Sequence, residues 1–346
     1  LISCRDKRAL ENKICGFYNA DKEPTVGEMY HEWCNRRCEL KQISQGTRAR
    51  NDVIFNKFFE PIEDMTLSEM KIVDYVDFLE QAIATYDLTS KAFAGLKGVL
   101  VAMLNRAKRL ELINYSGIDV ANEFKAITEV RFRQKIFRDE EEVYDEVETA
   151  KIVRRLTLCR DQQEVALLLL FITGMRVGEV VALKHEDFGE NYIKVSRTEI
   201  KYIVNGKQTR EVKDTPKTMA GIRTVVIPSS FKWLLERIKH INPDKEWVFS
   251  TFLSDRMCTQ TLERRLRKIC EELNIPYRSP HKIRKTYCTI LLDNGCDDNF
   301  IKQQVGHTNI LTTERYYHRN RKALDRKAEI MDGIEEFAKL SYLENL

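Results

Sequence analysis

The chain predicts a mainly α fold with a small antiparallel β-sheet, divided between two domains. Three observations lead there. Apolar residues recur at spacings of three and four through most of the 346 residues. β-Branched residues gather in one region, between Tyr192 and Ile227. Two charged breaks, one before Thr25 and one across 117–140, bracket a helical block.

Residues 1–23 are charged and helical at first, from Arg5 to Phe17, and break at Ala20 to Pro24. They read as a linker or the remnant of a missing N-terminal domain. A start at Leu1 rather than Met fits a fragment of a longer chain. Thr25 caps the next helix, with Glu28 at the capping-box position. Residues 24–116 form a domain of four or five helices. Met29 and Trp33 come first, then Val53, Phe55, Phe58 and Phe59. Met70, Val73, Val76 and Leu79 follow at a stride of three, and a long helix runs from Ser90 to Arg109. Residues 117–140 read as an extended, charged linker ending in Asp139–Glu142.

The second domain is expected over 141–325. A helix opens at Thr149 or Ala150, and another runs from Asp161 to Thr173. The apolar stretch of the latter, Val165 to Thr173, is too short to cross a membrane and reads as a buried helix. Ile193 and Val195, then Ile200, Tyr202 and Val204, then Val225 and Ile227 mark the strands. Asn205-Gly206 is a hairpin-turn signal between two of them. After Pro228 the pattern is helical to the end. In the tail, 326–346, Ile330, Ile334, Phe337 and Leu340 share one face, as a segment docking on a neighbouring protomer would.

Composition narrows the function classes. The net charge of +4 is too small for a global field to argue for nucleic acid. Local basic clusters at Arg106–Arg109, Arg264–Lys268, Lys282–Lys285 and Arg319–Lys322 carry more weight. Nine cysteines, odd in number and irregular in spacing, point to free thiols in a reducing compartment. His31, Cys34 and Cys38 share a helix face but lack a fourth ligand, so they read as packing and no metal is expected. No apolar run reaches eighteen residues and no signal-peptide pattern opens the chain, which suits a cytoplasmic protein without a membrane partner.

Four segments concentrate phosphate-type chemistry. In Thr173-Gly174-Met175-Arg176-Val177-Gly178-Glu179, two glycines flank an arginine at the end of a buried helix. Glu179 can reach back and hold the Arg176 guanidinium as a planar fork, the shape that grips a phosphate with two hydrogen bonds. A helix-start salt bridge would use the same residues. Lys217 lies in Thr215-Pro216-Lys217-Thr218, in a loop between strands, where most lysines are merely solvated. His281 and Arg284, three apart, share a face of a helix opened by Ser279-Pro280. Its N-terminus presents N–H groups and a dipole that favour anions. Gly306-His307-Thr308-Asn309 ends one helix and can cap the next, before Thr312-Thr313-Glu314-Arg315-Tyr316-Tyr317-His318.

Together, in this order and spacing, these segments resemble the tyrosine recombinase family, the integrases of phages and transposons. In that family an Arg in a G-x-R-x-x-E context comes first, matched by Gly174, Arg176 and Glu179. A β-hairpin Lys follows, matched by Lys217. H-x-x-R is matched by His281 and Arg284, and Gly-His by Gly306 and His307. The nucleophilic Tyr stands nine residues after that His, matched by Tyr316. Tyr317 is the alternative, since some relatives space the Tyr one residue further. The Tyr-x-His ending, with His318 two residues on, favours Tyr316.

The resemblance implies a helical core-binding domain and an α+β catalytic domain that close on DNA as a C-shaped clamp. It also implies site-specific recombination through a 3′-phosphotyrosyl intermediate and a Holliday junction. Arg176, Lys217, His281, Arg284 and His307 would serve the nucleophile, with Glu179 in support and no cofactor. Arg106, Lys108, Arg109, Lys282 and Lys285 are expected to contact DNA. Partners would be double-stranded DNA, three further copies in a tetramer, and accessory DNA-bending proteins. The integrase of a bacterial mobile element, acting at the nucleoid, is favoured over a Xer-like chromosome dimer resolvase, a type IB topoisomerase and a silent DNA-binding protein. The truncated start fits an arm-binding domain removed from such an integrase.

Overall fold

The structure is a computed structural model. It describes residues 23–127, 129–135, 138–204, 207–214, 222–306, 321, 322, 328, 329 and 331. The chain divides into two compact units, one of residues 1–136 with 202–209, the other of residues 137–201 with 210–346.

In the first unit five helices follow one another: α1 (Val26–Glu39), α2 (Gln45–Phe58), α3 (Ile72–Tyr86), α4 (Ser90–Arg109) and α5 (Gly117–Ile127). α1 starts where the sequence predicts. The Thr25 hydroxyl accepts from the Glu28 N–H, and the Glu28 carboxylate accepts from the Thr25 N–H. α4 packs against α1, α2 and α5 through Phe93, Leu96, Leu100, Met103 and Leu104. On α3 the buried face is Tyr75, Val76, Phe78, Leu79 and Ala82, whereas Val73 is half exposed. A stride of three drifts off a face whose true period is 3.6, so only part of the predicted stripe is buried.

α5 corrects the expectation of an extended segment after residue 116. Val120 and Phe124, four apart, are buried in the core of this unit, and Phe124 packs 5.0 Å from Phe93 between ring centroids. Ser116 and Asp119 cap it reciprocally: the Asp119 carboxylate accepts from the Ser116 N–H and the Ser116 hydroxyl accepts from the Asp119 N–H. An Asp in the third position is a shorter version of the usual Glu, and the signal is easily passed over.

The second unit has eight helices among the described residues: α6 (Asp139–Glu142), α7 (Glu146–Leu156), α8 (Gln162–Thr173), α9 (Val177–Val180), α10 (Lys232–Lys239), α11 (Thr259–Glu272), α12 (Pro280–Asp293) and α13 (Asp298–Val305). α8 is its centre. Every residue from Glu164 to Thr173 is buried, and α7, α9, α11 and α12 surround it. α7 starts three residues before the predicted Thr149, because Asp145 and Glu148 form a capping box ahead of it.

The predicted strands form two separate two-stranded ladders rather than one sheet. β1 (Tyr192–Val195) pairs antiparallel with β4 (Arg223–Val226), Val195 opposite Arg223. β2 (Thr198–Val204) pairs with β3 (Lys207–Lys213). Ile193, Val195, Val225 and Ile227 point into the core, as the alternation predicts. The Asn205-Gly206 turn and most of the tail lie outside the described residues.

Candidate active site

The G-x-R-x-x-E segment is held by its glycines. Gly174 ends α8 in the left-handed region, at φ 61°, where a Cβ would fall 2.3 Å from Cδ1 of Tyr287. Gly178 lies against β2, where a Cβ would stand 2.6 Å from the Glu199 carbonyl oxygen. The chain can therefore turn tightly out of α8 and start α9 at once, with Arg176 as its N-cap.

Arg176 and Glu179 interact as the spacing suggests. The Arg176 guanidinium donates to Glu179 Oε1 at 2.8 Å, and its backbone N–H donates to Oε2 at 2.8 Å. The side chain of Arg176 is 45% exposed, that of Glu179 only 5%. Burial alone would push the Glu179 carboxyl up. Hydrogen bonding to Arg223 and the charges of Arg223, Arg176 and Arg284 outweigh it and hold the group down at about 2. Glu179 is thus a fixed anion on which guanidinium groups are arranged.

α12 brings the H-x-x-R pair. Ser279 stands at its N-cap position and Pro280 at its first, as the sequence predicts. Arg284 is among the largest wholly buried side chains of the protein. Its guanidinium donates to the Gly174 carbonyl at 2.9 Å and to the Val305 carbonyl. His281 sits at the exposed rim one turn away. Desolvation, then the charges of Arg284, Lys285, Lys282 and Arg176, pull its imidazole down to about 4. It is neutral at physiological pH and can accept a proton.

α13 closes the site. Gly306 terminates it at φ 68°. The last carbonyls of a helix carry partial negative charge and lack partners within the helix. Here three consecutive carbonyls each take a hydrogen bond from a different arginine. Gln304 accepts from Arg223 at 2.8 Å, Val305 from Arg284, and Gly306 from Arg176 at 3.3 Å. Sequence reasoning missed Arg223. Its side chain is 5% exposed and donates to both oxygens of Glu179, at 3.0 and 2.7 Å.

The structure thus brings Arg176, Glu179, His281 and Arg284 of the predicted set into one electropositive cluster. Lys217, His307, Tyr316 and Tyr317 lie outside the described residues.

The predicted DNA-contacting residues are differently engaged. Lys282 and Lys285 both pair with the buried carboxylate of Glu142, which burial pushes up and the two ammonium groups hold at about 2. That pairing joins the segment before α7 to the start of α12, as do two further bonds. Thr286 Oγ1 accepts from the Tyr144 N–H at 2.9 Å, and the Arg278 carbonyl accepts from the Tyr144 hydroxyl at 2.8 Å. The two lysines thereby fasten the helix that carries His281 and Arg284, a use the sequence does not suggest. In the first unit Arg106 forms a forked pair with Glu32, at 2.7 and 3.2 Å, and Lys108 stands 3.7 Å from Asp119. Arg109 is exposed and, with Arg36, Arg37, Arg106 and Trp33, lines a basic groove.

Residues 139–323 match the phage integrase family. The XerC-like tyrosine recombinase of Caldanaerobacter subterraneus is 33% identical over 171 residues, 43% of this chain and 44% of the relative. Tyrosine recombinase XerD of Chlamydia muridarum is 29% identical over 157 residues, 45% of this chain and 48% of the relative. The chain thus spans about half the length of the curated relatives it matches. The fold is similar to that of the Tn1549 transposon integrase in complex with transposon right end DNA, with a TM-score of 0.65 at 16% identity, covering 90% of this chain and 100% of that one. It is also similar to a lambda integrase dimer bound to a core site, with a TM-score of 0.58 at 17% identity, covering 92% and 83%. The family match takes in more than half of the chain and every segment of the cluster, and the chain belongs to the phage integrase family.

Proposed function

We propose that this chain is a site-specific DNA recombinase of a mobile element, which cuts and rejoins DNA through a 3′-phosphotyrosyl link to Tyr316. The observation that carries the proposal is the convergence of Arg176 and Arg284 on the end of α13, with His281 one turn before Arg284 on α12. His307 follows the cap residue Gly306 in sequence, and Tyr316 stands nine further on.

A phosphodiester resists attack because its own charge repels nucleophiles. Arg176 and Arg284 would bind the two non-bridging oxygens and stabilise the pentacoordinate transition state. A preorganised donor of this kind contributes about 3–4 kcal/mol. A free tyrosine titrates near ~10, so Tyr316 must give up its proton as it attacks. His281 takes or orients that proton. The Tyr316 oxygen bonds to phosphorus, the bond to the 5′ oxygen breaks, and Lys217 protonates the leaving oxygen. His307 donates to a phosphate oxygen. Attack by a new 5′-hydroxyl reverses these steps, so one phosphodiester replaces another without ATP. The arginines supply the charge stabilisation that a metal ion provides in other phosphoryl-transfer sites.

The partner is double-stranded DNA, at element ends and at target sites, gripped largely through phosphates and read through few bases and through deformation. Four copies would act together across two sites, with accessory bending proteins. A lambda integrase tetramer bound to a Holliday junction has a related fold, with a TM-score of 0.55 at 17% identity. Among the described residues no helix is long and apolar enough to cross a membrane. Acting on bacterial DNA, the protein would work in the cytoplasm, at the nucleoid.

The proposal is tested by incubating the protein with two duplexes carrying its element's ends, in a chelator and without ATP. Recombinant duplexes and four-way junctions are expected. Relaxation of any supercoiled plasmid without exchange would indicate a topoisomerase, and binding without rearrangement a silent DNA-binding protein.

A further inference from the structure

Arg223 does more than fill a buried strand position. It lies at the start of β4, opposite Val195 of β1. Its Nη atoms donate to both oxygens of Glu179, and its Nε donates to the Gln304 carbonyl. The ladder is tied to α13 a second time, since Gln304 Oε1 accepts from the Val226 N–H at 3.2 Å. Arg223 is almost wholly enclosed, whereas Arg176, on the same carboxylate, is nearly half exposed. One anion therefore serves two guanidinium groups of different kinds. The outer one faces solvent and can receive a phosphate. The inner one is enclosed, and its fork spans an anion and a helix end that Arg176 also bridges. A lysine in its place has a single point of charge and cannot hold both at once.

We propose that Arg223 is a positioning residue for strand cleavage. It holds the Glu179 carboxylate that orients Arg176, and it fixes the end of α13 from which the chain runs into His307. The proposal rests on the recombinase reading given above.

The test compares wild type with Arg223→Lys and Arg223→Gln. Single-turnover formation of the covalent adduct on a nicked duplex is measured beside DNA affinity by gel shift and the thermal midpoint by circular dichroism. Expected for Arg223→Lys is an affinity within about twofold of wild type and a cleavage rate constant lower by about 10–100-fold, the range typical of groups that orient reacting residues. Cleavage undiminished in a folded variant would overturn the proposal. So would parallel loss of affinity and rate, which marks a purely structural role. A second arm needs no activity. In the DNA-free protein the Glu179 carboxyl is followed by ¹³C NMR. It is expected to titrate far below the ordinary carboxylate range in wild type and markedly higher in Arg223→Gln, or in Arg223→Lys where the glutamine variant does not fold. An unchanged titration would overturn the proposal. If wild type itself forms no adduct, the recombinase reading fails, and the NMR arm still decides whether Arg223 governs Glu179.

Discussion

Glu179 shows how one buried charge organises the site. Its two oxygens take four donors, from Arg176 and Arg223. Removing one partner of a buried pair leaves the other uncompensated, a loss of about 3–5 kcal/mol, far more than the pair adds over an apolar replacement. Glu179→Ala is therefore expected to lower the unfolding free energy by about that amount in urea titration, chiefly through the stranded Arg223. His281 gives the second expectation at this scale. Its folded pKa lies below the ordinary imidazole value of ~6.5, so its neutral form is favoured by folding. The stability it contributes is present above that value and is lost as pH falls toward about 4. NMR titration of the DNA-free protein should find His281 still neutral at pH 5.5, and a midpoint near that of a free imidazole would contradict this.

At the scale of elements, two substitutions probe how the site is carried. Gly174→Ala places a Cβ on Tyr287 and forces alanine into a left-handed turn. Strain and overpacking together should cost about 2–5 kcal/mol, read as a fall in the thermal midpoint. Cleavage should fall as well, because Gly174 both starts the turn into Arg176 and lends its carbonyl to Arg284. Phe124→Ala tests the docking of α5. Loss of a buried ring should cost about 3–5 kcal/mol, whereas an extended surface segment would barely register the change.

The same elements show what local chemistry reveals and what it hides. Thr25 with Glu28, Ser279 with Pro280, and the span of α4 were legible because each signal lies within a few residues. Arg176 with Glu179 and His281 with Arg284 were legible for the same reason, each pair being one helical turn apart. The Ser116–Asp119 cap was passed over beside a charged run. Arg223 carried no local signal at all. Its role arises only when β4 pairs with β1 and lies against α13, bringing it to Glu179, 44 positions earlier, and to Gln304, 81 positions later. Likewise nothing near Lys282 in sequence announces Glu142, 140 positions away.

At the scale of the whole molecule, the cluster is a set of cations converging on a helix end, and in the sequence His307 follows Gly306 at that end, with Tyr316 nine residues further on. The central claim is that DNA becomes joined to Tyr316. The most direct measurement is a suicide substrate, a nicked duplex carrying the element's end, incubated with wild type, Tyr316→Phe and Tyr317→Phe and resolved on a denaturing gel. A covalent protein–DNA adduct is predicted for wild type and Tyr317→Phe and none for Tyr316→Phe. An adduct that persists in Tyr316→Phe, or one lost only in Tyr317→Phe, would contradict the assignment.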